Sequence, residues 1–373
     1  MPYLTDRLQD EALQQSTRET DGPAVFPSRF RFDPLAVSAQ LRDGLQGQEE
    51  ALSVVSDELM RIKADIGEPG RPLAVFLLAG PTGVGKTETV RLLAKALHGQ
   101  TDAFCRVDMG TLTQDHYTAA ITGAPPGYAG SRESHTLIDE THIRGNFSTP
   151  GVVLFDELEK AGPEVLRSLL GVLDYGQLRL TSGQKVLDFR NSLVFMTTNL
   201  GSRELTRCLE RSQRWYWLGR GSIQKRQLRY TVHRALQNGL DPEFLNRIDH
   251  TLVYYPLATK NQPAIVERLL RNLNQRLARK RVAVSLSDRL CEQLVSEGFD
   301  PRYGARSMKR HFRKMVETPV ARHLLTENFQ VSDSGEKAGV VVYALHCDWR
   351  EGRVFVSALD VERPLRQITQ VQG

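Results

Sequence analysis

Long apolar runs are missing from this chain. A membrane helix requires about 18 consecutive apolar residues, and the longest strongly apolar stretch, Leu73 to Ala79, stops far short of that. Cysteine is scarce: Cys105, Cys208, Cys291 and Cys347 lie far apart with no CxxC pair, which argues against a disulfide framework or a zinc site and for a reducing compartment. Glycine (29) and proline (17) are at ordinary levels, and neither sign of charge dominates, since 49 Lys+Arg against 44 Asp+Glu leave +5 on 373 residues. With 40% hydrophobic residues, this composition excludes a collagen-like, low-complexity or disordered chain. The start, Met1-Pro-Tyr-Leu-Thr-Asp-Arg-Leu8, has no basic segment followed by an apolar core. No secretory signal and no membrane partner are expected, and the cytoplasm is the expected location. At roughly 150 residues per domain, about two domains are expected.

What is present is an alternation of elements. Residues 1 to about 35 lack periodicity and read as a polar lead-in. Leu52, Val55, Leu59 and Ile62 recur at helical spacing. Leu73 to Ala79 reads as a strand buried on both faces. A Gly-rich turn follows, then a helix turning Val90, Leu93, Ala94 and Leu97 inward. Phe104 to Met109, Val152 to Phe155 and Leu193 to Thr197 are further strands, with a Pro163-led helix and a hairpin of Gln177 to Leu180 and Lys185 to Phe189 between them. After Pro256, helices dominate, marked by Ile265, Leu269, Leu273 and Leu277, then Leu290 and Leu294, then Met308, Phe312 and Met315. Strands at Val340 to Leu345 and Val354 to Ala358 close the chain. The expected fold is an α/β large domain with a mostly parallel sheet, followed by a smaller, mainly helical domain with a short β-hairpin. The expected boundaries are an extension over 1–35, the large domain over 36–255, the small domain over 256–360 and a tail over 361–373.

Gly80, Pro81, Thr82, Gly83, Val84, Gly85, Lys86 and Thr87 fit G-x-x-x-x-G-K-[ST] at every fixed position, between a strand and a helix. Small residues let backbone N–H groups wrap phosphates, and the helix N-terminus adds a favourable dipole. Lys86 would reach the β- and γ-phosphates, and the Thr87 hydroxyl would sit on Mg²⁺. Val152-Val-Leu-Phe-Asp-Glu157 ends a buried strand in two acids. Asp156 would hold Mg²⁺ and Glu157 would polarise an attacking water. ATP and Mg²⁺ are therefore the expected ligands.

These motifs, together with Gly123-Ala-Pro-Pro-Gly-Tyr-Ala-Gly130, Asp188-Phe-Arg-Asn191, Met196-Thr-Thr-Asn-Leu-Gly-Ser202, Asp241-Pro-Glu-Phe-Leu-Asn-Arg-Ile-Asp249 and Gly298-Phe-Asp-Pro-Arg-Tyr-Gly-Ala-Arg306, stand in the order of one family. From about Leu41 to about Leu325 the chain resembles the Clp-type AAA+ ATPases, most closely the second ATPase module of the ClpB-type disaggregases. The resemblance implies that Asn199 is the first sensor and Arg306 the second, set by the small domain over the nucleotide. It implies that Arg247 is an arginine finger given to the neighbouring subunit, hence a ring, typically a homohexamer; the plainer reading of Arg247 is a local pair with Asp249 or Glu243. Gln48, in Leu45-Gln-Gly-Gln48, matches the segment near the adenine. Tyr128, flanked by Gly127 and Gly130, matches the pore loop that grips protein substrates. The match covers one ATPase module, so the implied activity is that of a stand-alone, single-ring ATP-hydrolysing motor that unfolds, threads or remodels proteins.

Two departures bear on specificity. Ala129 stands where the family has Val, and Ser131-Arg-Glu-Ser-His135 replaces acidic and Gly-rich residues. Residues 203 to 230 interleave Arg203, Arg207, Arg211, Arg214, Arg220, Lys225, Arg226 and Arg229 with Trp215, Tyr216, Trp217 and Tyr230. Such a segment suits single-stranded nucleic acid or an acidic partner; a solvated helical face is the favoured reading. The alternatives to a general unfoldase are a nucleic-acid-associated switch and an adaptor-dependent factor that disassembles one complex.

Overall fold

The computed structural model describes residues 27–112, 139–179, 186–217, 225–258, 261–300, 303–326 and 343–359. Two compact units divide at Pro256/Leu257.

In the first unit, α1 (Pro34–Gly44) and α2 (Glu49–Lys63) precede β1 (Ala74–Ala79), α3 (Lys86–His98) and β2 (Cys105–Asp108). Then come α4 (Glu140–Arg144), β3 (Gly151–Asp156), α5 (Pro163–Tyr175), the hairpin β4 (Gln177–Arg179) and β5 (Val186–Asp188), and β6 (Ser192–Thr198). α6 (Ser202–Trp217), α7 (Lys225–Gly239), α8 (Pro242–Leu245) and β7 (His250–Val253) complete it. The sheet runs β2-β3-β6-β1-β7 with every pair parallel.

The apolar run of β1 is explained by its two faces. Ala74, Phe76 and Leu78 pack with α1, α2 and α3, while Val75, Leu77 and Ala79 pack with α5 and α7. β3 and β6 alternate in the same way, so all three strands are buried throughout. On one of these faces Phe76 stacks on Phe195, centroids 4.8 Å apart.

The structure departs from the sequence reading at the start of the chain. Phe30 and Phe32, within the stretch read as a lead-in, are buried in the core beneath α1 and α2. Two aromatics in a polar segment show no period, so only packing reveals them. Residues 1–26 and 360–373 lie outside the described residues.

The second unit contains α9 (Gln262–Leu277), β8 (Val282–Leu286), α10 (Asp288–Gly298), α11 (Ala305–Phe312), α12 (Thr318–Thr326), β9 (Tyr343–Arg350) and β10 (Arg353–Leu359). A π turn, Arg313–Glu317, joins α11 to α12. Pro319 has no N–H to offer one turn back, and a widened turn accommodates that loss. The expected hairpin is present as β9–β10, but β8 adds a third strand, parallel to β9. β8 escapes the sequence reading because its partner lies some sixty residues ahead. Leu290, Leu294, Met308, Phe312, Leu345 and Cys347 form the core of this unit.

Candidate functional site

The carboxyl ends of β1, β3 and β6 bring several of the expected site residues together, at the end of a parallel sheet where ligands bind. The turn between β1 and α3 has three residues at positive φ: Gly80 (151°), Gly83 (78°) and Gly85 (110°). A methyl group at Gly80 would stand 2.3 Å from the Tyr254 carbonyl oxygen, so the close approach of two backbones demands glycine there. The N-cap of α3 is Gly85, which has no side chain to cap the helix, and the helix N-terminus points into the turn.

Lys86 is buried and folds back over its own loop. Its ammonium donates to the carbonyl of Gly80, to that of Pro81 at 2.9 Å and to Asn199 Oδ1 at 2.9 Å. Asn199 Nδ2 donates in turn to Glu159 Oε1 at 2.9 Å. Pro81 and Val84 are buried; Thr82, Gly83 and Thr87 are partly exposed, with Thr87 in the first turn of α3.

At the end of β3, Asp156 is buried and accepts from Thr197 Oγ1 and from Arg106 Nη2, each at 2.5 Å. Glu157 takes a left-handed backbone, φ 61° and ψ 52°, a conformation costly for a residue with a Cβ. Its N–H donates to Thr197 Oγ1 at 3.0 Å, and its carboxylate is held by Lys160. One hydroxyl thus positions both acids. Thr197, Glu159, Lys160 and Arg106 had no assigned role in the sequence, although Thr197 lies within Met196-Thr-Thr-Asn199 and Glu159 and Lys160 stand two and three residues after Glu157.

The residues fit a nucleotide and a hard cation. A buried ammonium at a helix N-terminus suits phosphate, and a carboxylate with a threonine hydroxyl is the oxygen donor set that Mg²⁺ takes.

The other expected residues lie elsewhere. Gln48 is buried, its amide donating to the carbonyls of Val84 at 3.2 Å and Tyr255 at 2.9 Å while accepting from Tyr255 N–H at 3.2 Å. Every polar atom of that amide is turned to protein backbone, so it staples the phosphate-loop turn to the strand exit. Tyr254 next door is fully buried, its hydroxyl 2.8 Å from Thr89 Oγ1, and burial pushes its pKa up beyond the ordinary tyrosine range.

Arg247 sits before β7, at the opposite end of the sheet. Asp249, two residues on, bonds both N–H and carboxylate to the backbone of Val75 at the start of β1, at 3.1 and 2.8 Å. Five strand residues, Val75 to Ala79, roughly 16 Å, separate that point from Lys86's turn. The guanidinium pairs with Asp174 and lies 3.9 Å from Glu243. Asp249, the other local partner considered, instead takes Arg71 at 3.4 Å. Arg306 is exposed in the first turn of α11, in the second unit. Tyr128 lies outside the described residues. In the basic segment, Arg203, Arg207, Lys225, Arg226 and Arg229 are exposed, and Lys225 reaches Glu50 at 2.7 Å.

Two family descriptions match in tandem: "AAA domain (Cdc48 subfamily)" over residues 71–251 and "C-terminal, D2-small domain, of ClpB protein" over 257–337. Among curated proteins, the ATP-dependent protease ATP-binding subunit-like protein AmiB of Pseudomonas aeruginosa is 44% identical over 345 residues, 87% of this chain and 93% of that protein. An ATP-dependent protease ATP-binding subunit-like protein of Rhodococcus erythropolis is 42% identical, covering 87% of this chain and 92% of its own length. Chaperone protein ClpB of Bacillus cereus is 40% identical over 81% of this chain, but only 34% of ClpB is covered.

Proposed function

Because the chain belongs to the Clp-type AAA+ ATPases, a family of ATP-dependent chaperones and unfoldases, we propose that it is a Mg²⁺-dependent, ring-forming motor that unfolds, threads or remodels proteins through a central pore. The observation that carries this reading is the meeting of Lys86, Asn199, Asp156 and Glu157 at one end of a single parallel sheet.

Lys86 exchanges its carbonyl partners for the β- and γ-phosphate oxygens, a gain because a carbonyl is a weaker partner for an ammonium than an anion is. Thr87 and Asp156 would hold Mg²⁺, which would supply neutralisation of phosphate charge. Glu157 accepts a proton from the attacking water, and Asn199, fixed between Lys86 and Glu159, orients that water and contacts the γ-phosphate. Gln48 supports the phosphate loop from behind. Arg247, at the far end of its own sheet, serves the nucleotide of the next protomer, which makes the active site shared and the assembly a ring, proposed as a homohexamer. Arg306 reports loss of the γ-phosphate to the small domain. Tyr128 grips an extended polypeptide without reading its sequence. The cytoplasm is the proposed place of action, and among the described residues no helix is long and apolar enough to cross a membrane. A substrate-selecting adaptor is a further proposed partner.

Replacing Glu157 with Gln keeps the shape and removes the base. The variant is expected to bind ATP as tightly as the parent and to hydrolyse it at least a hundredfold more slowly, on the order of what general-base loss costs. Nucleotide titration and a phosphate-release assay read the two properties. Undiminished hydrolysis would refute the assignment.

A further inference from the structure

The basic helix α7 takes no part in the chemistry proposed above. It carries Lys225, Arg226, Arg229, His233 and Arg234 and no acid. All of these side chains are exposed, and among the described residues only Lys225 has an ion-pair partner, Glu50 of α2 at 2.7 Å. Lys225 and Arg226 stand in the first turn, where the helix dipole is already positive. Nothing within the helix offsets that charge, so an anion from outside would be welcome there.

Beside α7 lies an edge of the large sheet. β7 pairs with β1 alone and ends the strand order. A cleft of about 440 Å³ runs along it, walled by Val54 of α2, by Arg229, Tyr230 and His233 of α7, and by every residue from Asp249 to Val253. A cleft over one face of a strand meets alternate residues. One that meets five in succession follows the edge, where an outermost strand presents N–H and C=O groups that no neighbour takes. Asp249, the acid among the lining residues, is already engaged by the Val75 N–H and by Arg71.

The two helices cover opposite faces of the sheet, α2 with the core around Phe76 and α7 with the core around Leu77. An extended segment laid along β7 as a sixth strand therefore turns one set of alternate side chains toward Val54 and the other toward Arg229 and His233. Tyr230, 68% exposed, adds an aromatic surface on the basic side.

We propose that the β7 edge is a docking groove for an extended acidic segment of a partner protein, apolar and acidic at alternate positions and bound as an added strand. The strand edge selects a polypeptide over a nucleic acid, which has no peptide groups to complete the ladder. The cations select against a second copy of the same edge, because Arg229 would face its own charge.

The test uses the full chain and a fluorescein-labelled eight-residue peptide of alternating valine and glutamate, followed by fluorescence anisotropy. The parent is expected to bind it. The double variant Arg229→Glu, His233→Glu should weaken binding about tenfold or more, since like charges then face each other. Its ATP hydrolysis should stay at the parent rate, which shows that it folds. Val54→Asp should weaken the same peptide from the opposite face. Two further peptides carry methyl groups on alternate backbone nitrogens, on the valines in one and on the glutamates in the other. The one whose methyl groups face β7 loses the ladder and should bind about tenfold more weakly, while the other binds like the unmethylated peptide. No binding of the valine–glutamate peptide, equal binding of a valine–lysine peptide, or equal binding of both methylated forms would overturn the proposal. Displacement by an oligothymidylate of equal charge would overturn it in favour of nucleic acid. Self-association of the chain that the peptide disperses would overturn it in favour of a second copy.

Discussion

Thr197 does two jobs with one hydroxyl, donating to Asp156 at 2.5 Å and accepting the Glu157 N–H at 3.0 Å. Valine has nearly its shape and neither capacity. Thr197→Val leaves a buried carboxylate oxygen and a backbone N–H each short of a partner, which costs about 1–3 kcal/mol. The expected result is a lower denaturant midpoint and a kcat reduced by roughly tenfold or more, because the misplaced groups are the proposed metal ligand and base; Thr197→Ser should restore most of both. Equilibrium unfolding and steady-state hydrolysis measure them. The residue stood in plain view beside Asn199 in the sequence. Its double role did not, because it depends on Asp156 and Glu157 arriving from the neighbouring strand.

Among the elements, α2 and β7 show how an edge strand is tied down. Glu58 of α2 is buried, paired with Arg61 at 2.6 Å and with His250 of β7 at 3.0 Å. Burial pushes its pKa up, but the hydrogen bonds from His250 and Arg61 outweigh that and hold it below the usual glutamate value. A carboxylate with a folded pKa below its unfolded one contributes stability above the unfolded value, near 4.5, and that contribution is lost as pH falls through the folded value. Glu58→Gln is therefore expected to melt below the parent at pH 7, with the gap closing in acid; thermal unfolding across that range tests it. In the sequence Glu58 looks like a solvent-facing acid beside the Leu52, Val55, Leu59, Ile62 stripe. Its partner lies 192 residues on, a distance no local period spans. β1 is the contrary case, since its apolar run could only be a strand covered on both sides.

For the whole molecule, the separation of Arg247 from Lys86 along β1 makes a prediction about assembly. Arg247→Ala and Glu157→Gln are each expected to be inactive alone. Mixed, some sites combine an intact Glu157 in one protomer with an intact Arg247 from its neighbour, and part of the hydrolysis should return. A phosphate-release assay on the mixture, repeated on dilution, decides it. Recovery that persists in dilute, monomeric samples, or no recovery in assembled ones, would contradict a finger acting between protomers.

The sequence alone determined the alternation of the central strands and helices, the phosphate loop, the paired acids and the motifs of the family resemblance, because each is written in residues close together along the chain. Gly80 is the plain instance: its neighbours named the turn before any contact was known. Tertiary structure decided the rest. It buried Phe30 and Phe32, paired β8 with β9, turned the Gln48 amide onto the backbone, gave Arg247 to Asp174 and set Lys160 against Glu157. Those outcomes follow from which strands lie side by side and from the turn geometry after β3, and packing selects both through contacts that the linear order of residues does not record.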